Sequence, residues 1–458
     1  MARNTREIRI RKQLRGFALL WTGITFAMGT ITFIAIYIGY NSLANDTTPR
    51  SSATAQSVIA AANPTVQINT PTLFPTRDPA AFAAQRTTAP ILPSVTPLPI
   101  EMRRFQLGVQ VQVSYDIMDQ WIDVAANQLS VKWVKQQVRW EDIQPARDTY
   151  DWGALDVYLP AAQRQNVRVL ISVVTAPDWA REEGANLERH GPPADPQDYA
   201  DFVTAILARY PGMVHALEVW NEQNLDREWT STRGLTASTY VELLRTTYQA
   251  VKAVDPGVIV ISGALSPTGV SDGVTAWDDF VYFDQLIEAG MLNYADCIGA
   301  HHNGINVSPD DTWDNVTDDP TATYRGPYDN PHHSWSFRST LQTYASKVAL
   351  AGGDQKLCVT EFGWASADGL DGLPEGFGFA ADNTLDEQRD YTVRALDNMV
   401  EWDIVWLAVL WNLNYGAQAG WEPTNDNVPY AIIGPNSFFR PVFDAVRDWN
   451  RAYEAQFQ

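Results

Sequence analysis

The chain has 458 residues, enough for one large domain with additional segments or for two or three smaller domains. Its formal net charge of −21 at pH 7 excludes the basic surface that nucleic-acid binding requires, so no nucleic-acid partner is predicted. Its two cysteines exclude a framework of several disulfides, and stability is expected to come from a large hydrophobic core.

The first 40 residues have the pattern of a membrane anchor. A charge-free run from Phe17 to Tyr40 follows a basic segment. The run is longer than the roughly 20 residues that span a bilayer as a helix, and longer than the roughly 7–15-residue apolar region of a cleaved signal peptide. We therefore predict a cytoplasmic tail at 1–16, a transmembrane signal anchor at 17–40 and a single-pass cell-membrane protein whose remainder is extracytoplasmic. Cleavage near Ser42-Leu43-Ala44 is the alternative.

Residues 41–102 are rich in Thr, Pro, Ala and Ser, as in the segment TPTLFPTRDP. So little apolar surface cannot offset the conformational entropy that ordering would cost. The composition predicts a disordered or extended linker, which would hold the next domain away from the membrane.

From residue 103 to 458, apolar runs alternate with longer amphipathic segments. The predicted strands are Phe105–Val113, Val131–Val138, Val167–Val174, His215–Asn221, Val258–Gly263, Cys297–His301, Leu357–Glu361 and Val405–Asn412. Helical patterns lie between most of them, for example at Pro196–Arg209 and Ala237–Val254. Eight such repeats predict a (β/α)8 TIM barrel with insertions. A doubly wound open sheet is the alternative, but no glycine-rich phosphate loop follows the first strand.

Two glutamates stand at the ends of predicted strands. The fourth strand runs into Trp220-Asn221-Glu222, and the seventh ends in Val359-Thr360-Glu361. Chemistry in TIM barrels takes place at these strand ends, so two carboxyl groups would flank one bond of a substrate. Glycoside hydrolysis needs this pair, with a proton donor and a nucleophile about 5–5.5 Å apart in retaining enzymes. The alternative is two structural glutamates, the role expected for the deeper Glu218.

The residues around both glutamates resemble those of the clan A retaining glycoside hydrolases. Asn221-Glu222, followed by Gln223-Asn224, is similar to the Asn-Glu-Pro signature of these families, and Glu361 in VTEFGW matches their second glutamate. Lys135 and the segment WEDIQP that begins at Trp140 are similar to the second-strand region of the xylosidase and cellulase branches. The resemblance spans residues 105 to about 450.

This resemblance implies a role for each matching position. Glu222 would be the acid/base and Glu361 the nucleophile in the cleavage of a β-linked oligo- or polysaccharide. Trp411 would be the platform under the sugar, and Asn221 would bind its 2-hydroxyl. The expected substrate-binding residues are Asn221, Trp411, His301, Trp140, Lys135 and Trp229. No cofactor and no metal is implied. Glu222 is expected to have a raised pKa, caused by Trp220, Trp229 and the opposing carboxylate.

Three positions depart from the family pattern. Gln223 replaces a proline, and Lys135 replaces an arginine, so a bidentate contact becomes a point charge. Asn303 replaces a tyrosine that donates to the nucleophile, and Tyr324 or Tyr328 is a substitute. These departures concern efficiency and family more than reaction type.

Two other functions compete with a glycosidase. Four histidines, His301, His302, His332 and His333, would suit a zinc-dependent hydrolase, although the chain has no HExxH spacing. A carbohydrate-binding pseudoenzyme on the same barrel is the other alternative.

Cys297 and Cys358 fall on predicted strands six and seven. Adjacent parallel strands seldom offer disulfide geometry, so we expect buried free thiols near the chemistry, with a disulfide as the alternative.

Overall fold

The computed structural model describes residues 104–325 and 331–457. The predicted tail, anchor and linker therefore lie outside the described residues. Among the helices of the described part, none has the length and apolar character needed to cross a membrane.

Eight parallel strands form the barrel. They are β1 (Gln106–Gln110), β2 (Trp133–Arg139), β3 (Arg168–Val174), β4 (Ala216–Val219), β5 (Ile259–Ser262), β6 (Ile298–Gly304), β7 (Leu357–Trp364) and β8 (Val405–Leu410). Their order is β5-β4-β3-β2-β1-β8-β7-β6, and parallel bridges from Ile261 to Cys297 and from Leu265 to Ala300 join β5 to β6. The predicted (β/α)8 barrel is confirmed. Strand β4 ends two residues earlier than predicted, and β7 continues three residues past Glu361.

The helices and the short strand pair are as follows. The helices are α1 (Met118–Asp123), α2 (Trp140–Ile143), α3 (Gly153–Arg164), α4 (Pro196–Arg209), α5 (Ala237–Val254), α6 (Asp279–Glu288), α7 (Phe337–Leu350), α8 (Gly378–Asp382), α9 (Leu385–Trp402), α10 (Tyr415–Gln418) and α11 (Pro441–Glu454). Strands β9 (Ile433–Gly434) and β10 (Phe438–Phe439) pair antiparallel. Helices α4 and α5 have the bounds predicted from the sequence. For α4 the start is fixed because Asp195 caps the helix and Pro196 occupies its first turn.

The interior of the barrel is apolar at the amino-terminal ends of the strands. Side chains that point inward alternate along each strand, and those of the lowest layers form one buried cluster. Its members are Trp133, Leu170, Ala216, Ile259, Ile261, Cys297, Cys358, Trp406, Leu407 and Val409. Trp133 and Trp406 meet edge to face there, with ring centroids 5.7 Å apart.

The expectation of free thiols is wrong, because Cys297 and Cys358 form a disulfide within this cluster. Their Cα atoms are 5.8 Å apart, within the range that a disulfide spans. Cys297 lies one residue before β6 begins, so it is not held in the regular ladder with β7. The bond closes a 61-residue separation at the end of the barrel opposite the predicted chemistry.

Candidate active site

The chain turns sharply after β4 to present Glu222. Trp220 and Glu222 both have left-handed backbone conformations, with φ of 76° and 48°, which is uncommon for large side chains. The turn is tied to the end of β5, since the Glu222 amide donates to the Ala264 carbonyl over 2.8 Å and the Gln223 side chain donates to the Gly263 carbonyl over 2.8 Å. Gln223, which stands in place of the family's proline, therefore fixes the turn through its amide.

An aromatic cluster supports the turn from behind. The Trp220 indole donates to the Glu228 carbonyl over 3.0 Å, and Trp229 packs edge to face between Trp220 and Tyr240. Trp229 is completely buried. In this arrangement the side chain supports the turn, and its predicted contact with substrate stays a prediction.

Trp140 is also completely buried, and its predicted contact with substrate likewise stays a prediction. Its ring stacks on Phe202, with centroids 5.4 Å apart, and its indole donates to Gln144 over 2.8 Å. The Trp140 side chain therefore closes the core beneath α2, whereas Asp142 and Pro145 of the same segment are exposed.

A bulge in β7 turns Glu361 into the barrel. In the pairing with β6, Ala300 faces Val359 and His301 faces Glu361, so Thr360 is an extra residue. Strict alternation would send Thr360 and Glu361 to opposite faces. With the bulge, both side chains reach the interior, where Thr360 donates to Glu218 over 2.6 Å and Glu361 meets Lys135.

Lys135 links two carboxylates at the centre of the barrel. Its Nζ lies 3.1 Å from Glu218 Oε2 and 3.2 Å from Glu361 Oε1. Burial lowers the pKa of Lys135, but the two carboxylates outweigh burial and raise it. Burial likewise raises the pKa of Glu218, but Lys135 and His301 offset it and leave the pKa lowered. Glu218 is thus the paired structural charge that its deeper position on β4 predicts, and Lys135 holds positive charge beside Glu361.

His301 lies between the two predicted catalytic glutamates. Its Nδ1 is 3.2 Å from Glu222 Oε1, and its Nε2 is 3.8 Å from Glu361 Oε1. Burial lowers the pKa of this imidazole, but both glutamates raise it and the net direction is upward. One imidazole ring therefore separates the carboxylates, and its shorter contact is with Glu222.

The pKa of Glu222 is lowered, which contradicts the expected raised pKa. Burial raises the pKa of Glu222, but hydrogen bonds and charge from His301 and Arg227 lower it to about 2. The Arg227 contact, with Nη2 3.0 Å from Oε2, was not foreseen, because it depends on how the loop after β4 folds.

Glu228 is a third carboxylate near the pair. Burial, followed by the charge of Glu222, raises the pKa of Glu228 to about 7, and its Oε1 lies 3.7 Å from Arg227 Nε. Arg227 therefore contacts two glutamates whose pKa values are shifted in opposite directions. The sequence signal was present, since Arg227 and Glu228 follow Glu222 within six residues.

Trp411 follows the end of β8 and is partly exposed, as a sugar platform would be. It packs on Tyr415 with ring centroids 5.0 Å apart. Tyr415 is a second residue missed from the sequence. It accepts a hydrogen bond from Gln110 over 3.3 Å, and its burial and the charge of Glu361 raise its pKa. Its position four residues after Trp411 was the available signal.

Asn221 is buried, and its Oδ1 has no hydrogen-bond partner among the described residues. That oxygen faces no protein donor and is shielded from solvent. Tyr324 is partly exposed and its carbonyl binds Asn306, while Tyr328 lies outside the described residues.

The four histidines do not share one site. His301 faces the glutamates, whereas His332 and His333 both contact Asp278. His302 is buried, and burial lowers its pKa to about 4. Their separation removes the observation on which a zinc-dependent hydrolase was considered.

A cavity beside the barrel does not coincide with the glutamates. It lies between the ends of β1 and β2 and helix α3, and its polar lining includes Gln112, Gln137 and Arg139. It contains neither Glu222 nor Glu361. The candidate site is the glutamate cluster, where Glu222 and Glu228 have shifted pKa values and charged side chains interact.

No protein-family model matches the chain, and no curated protein matches its sequence. Solved structures do match its fold. A family 39 glycoside hydrolase from the gut symbiont Bacteroides cellulosilyticus superposes with a TM-score of 0.54 at 17% identity, over 78% of this chain and 65% of that one. A glucosidase from Croceicoccus marinus gives 0.52 at 15% identity, over 78% and 69%. Xylanase 10B from Thermotoga maritima gives 0.50 at 15% identity, over 78% and 97%.

The expected resemblance to the clan A glycoside hydrolases is confirmed at the level of the fold. The chain spans about two thirds of the length of the Bacteroides structure. What the barrel does is argued below from the site itself.

Proposed function

We propose that the chain is a retaining glycoside hydrolase that cleaves β-linked oligo- or polysaccharides with two glutamates. One observation carries the proposal. Two buried carboxylates at the mouth of the barrel lie on either side of His301 and have unlike partners, because Glu361 pairs with Lys135 and Glu222 pairs with His301 and Arg227. Unlike surroundings are what an acid and a nucleophile require of the same side-chain type.

In the first step Glu361 attacks the anomeric carbon. A bond forms between the carboxylate oxygen and this carbon while the glycosidic carbon–oxygen bond breaks, and Glu222 gives its proton to the leaving oxygen. Lys135 stabilises the attacking carboxylate before reaction. In the second step Glu222 takes a proton from water, which attacks the same carbon and releases Glu361.

Glu222 must gain a proton before the first step, and Arg227 opposes this. We propose that substrate entry moves the exposed Arg227 side chain away from Glu222. The nearby Glu361 carboxylate and the exclusion of water by the bound sugar would then raise the pKa of Glu222. The pair with Arg227 is on this view the resting state.

Asn221 and Trp411 would hold the sugar. The free Oδ1 of Asn221 suits the 2-hydroxyl, a contact that strengthens as the oxocarbenium-like transition state forms. The partly exposed face of Trp411 suits the apolar face of the ring.

We further propose that the domain is extracytoplasmic and held at the cell membrane. This rests on the basic segment and the charge-free run at 17–40, followed by the linker at 41–102. Removing residues 1–45 is expected to release active protein into solution.

The test uses a panel of activated aryl β-glycosides, with the anomer of the product followed by NMR. A first product of retained configuration is expected. Glu361→Ala should lose turnover, and azide should restore it as the opposite anomer. Glu222→Ala should still react with good leaving groups, and azide should then give retained product. Inversion by the unaltered enzyme, or equal behaviour of the two variants, would contradict the assignment.

The second candidate is a carbohydrate-binding pseudoenzyme, favoured by the low pKa of Glu222. It predicts sugar binding in calorimetry without release of the aryl group from any substrate in the panel.

A further inference from the structure

Three side chains outside the active site converge on one point. His333 Nε2 lies 2.7 Å from Asp278 Oδ2, and His332 Nε2 lies 3.6 Å from the same oxygen. In the described part of the chain this is the only group of three histidine, cysteine or acidic side chains whose ligand atoms all lie within 4.8 Å of one another. The three side chains are partly buried, so the point is sheltered and still reachable from solvent.

Other contacts hold the three side chains near that point. The second nitrogen of His332 lies 2.8 Å from Ser334 Oγ and also accepts the Ser334 amide over 3.2 Å. The second nitrogen of His333 lies 3.7 Å from Asp279 Oδ1, an electrostatic contact that is too long for a hydrogen bond. The second oxygen of Asp278 accepts the backbone amides at the start of α6. A hydrogen bond from the far nitrogen of a histidine to an outer oxygen, which Ser334 Oγ can accept, is typical of metal sites.

The ring of His333 is held in place as well. It stacks on Phe280, with centroids 3.7 Å apart. Asp279, behind it, is completely buried and also accepts from Tyr344 over 2.7 Å. These contacts leave the imidazole little freedom to turn its Nε2 away from Asp278.

We infer that Asp278, His332 and His333 bind one divalent transition-metal ion, with zinc as the preferred ion. Two imidazoles and one carboxylate suit zinc, which takes nitrogen and oxygen ligands about 2.0–2.2 Å away in a tetrahedron. Ligand atoms at that radius lie about 3.4 Å from one another, between the two observed separations. His333 would lose its hydrogen bond to Asp278 and move outward by some tenths of an ångström, and water would complete the shell.

The ion would act as a clamp between two loops. Asp278 precedes α6, in the connection that follows β5, and His332 and His333 precede α7, in the connection that follows β6. Strand β6 carries His301, so both connections border the proposed active site. The site therefore differs from the four-histidine catalytic zinc considered above, and no metal takes part in glycoside cleavage.

The test uses the full chain without a histidine tag, stripped with a chelator and titrated with zinc chloride in a calorimeter. One zinc per chain is expected, with the unfolding temperature raised by about 4 °C at a hundredfold excess over the dissociation constant. Asp278→Asn removes the carboxylate while keeping a side chain that can cap α6. This variant and His332→Gln should each abolish the zinc-dependent rise in unfolding temperature, and Ser334→Ala should weaken zinc binding roughly tenfold.

His190→Gln is the matched control, because it removes an exposed histidine elsewhere and should leave zinc binding unchanged. Zinc binding that survives in Asp278→Asn and His332→Gln, or that is absent from the unaltered chain, would overturn the proposal. The cluster would then be an ion pair of His333 with the two aspartates. Since the readouts are stoichiometry and unfolding temperature, the result does not depend on whether the glycosidase assignment is correct.

Discussion

The two ends of the barrel interior differ in the polarity of their side chains. At the amino-terminal ends of the strands the interior is apolar and closed by the Cys297–Cys358 disulfide. Two residues further along the same strands, the interior carries charged side chains. On β2, for example, Lys135 lies two residues after Trp133. The apolar layers therefore hold the strands together. The rigidity that results keeps the glutamates of the charged layer close to one another despite their like charge. Stability and activity should then be separable by mutation at the two ends.

The largest effect is expected from Glu361→Gln at the charged end. Activity should fall on the order of 10⁵-fold, comparable to losses when other hydrolases lose their nucleophile. Lys135 keeps its pair with Glu218, so the unfolding temperature should change little. Steady-state rates and thermal unfolding on the same preparation check both expectations. A large drop in unfolding temperature would mean that Glu361 stabilises the fold, and that stability and activity are not separate at the two ends of the barrel.

Glu222→Gln is expected to have a smaller effect that depends on the substrate. Loss of general-acid catalysis should slow the cleavage of poor leaving groups by roughly 10²–10⁴-fold. Substrates whose leaving groups need no proton should form the glycosyl-enzyme at nearly the normal rate. The measurement is the slope of rate against leaving-group pKa, which should be steeper in the variant. Equal losses for all leaving groups would argue against a proton-transfer role.

The matching change at the apolar end is Cys297→Ser combined with Cys358→Ser. The disulfide joins residues 61 positions apart, and its removal should lower the free energy of unfolding by about 4 kcal/mol by the chain-entropy estimate. For a domain of this size, the unfolding temperature should fall by about 5 °C. Activity per folded molecule at low temperature should be unchanged. If activity fell as far as stability, the two ends would not be independent.

The sequence predicted the barrel and both glutamates because these depend on local periodicity and on strand ends. It could not place Arg227 and Glu228, because their contacts depend on the conformation of the loop after β4. It could not show that Trp140 and Trp229 are buried. An aromatic residue next to a strand end has the same sequence signature whether it faces a cleft or supports the turn, and only the packing against Phe202 and Tyr240 reveals the burial.

The disulfide was missed for a related reason. A general rule about adjacent parallel strands was applied to Cys297, which lies just outside the ladder of β6. The bulge at Thr360 was likewise invisible, since it arises from the pairing of two strands and not from the sequence of one.

Trp411→Ala should weaken catalysis moderately and leave stability nearly intact. Loss of one ring contact is expected to cost about 1–2 kcal/mol, which corresponds to roughly a 5- to 30-fold drop in kcat/KM. Trp449→Ala is the control, since Trp449 packs on Phe105 and Tyr453 away from the mouth. The control should lower the unfolding temperature and spare kcat/KM. The reverse pattern would assign Trp411 to packing.

The smallest effect is expected from Arg227→Gln, and its readout is pH. Arg227 stabilises the charged form of Glu222, so removing it should raise the pKa of Glu222 above about 2. Other charged and titratable groups also act on this cluster. They are His301 and Glu361 near Glu222, Lys135 and Glu218 within the buried network, and Glu228, Arg139 and Asp426 around the loop.

Because cleavage needs protonated Glu222, a higher pKa should move the basic limb of the pH profile of kcat/KM, which reports on the free enzyme, to higher pH. Arg227 is 61% exposed, so salt should screen its effect and narrow the difference between the variant and the unaltered enzyme. Arg233→Gln, which removes the same charge from an exposed pair with Glu242, should leave the profile in place. A kcat/KM profile that is unchanged in Arg227→Gln at low salt would mean that the resting pair with Arg227 does not control the protonation of Glu222 in the free enzyme.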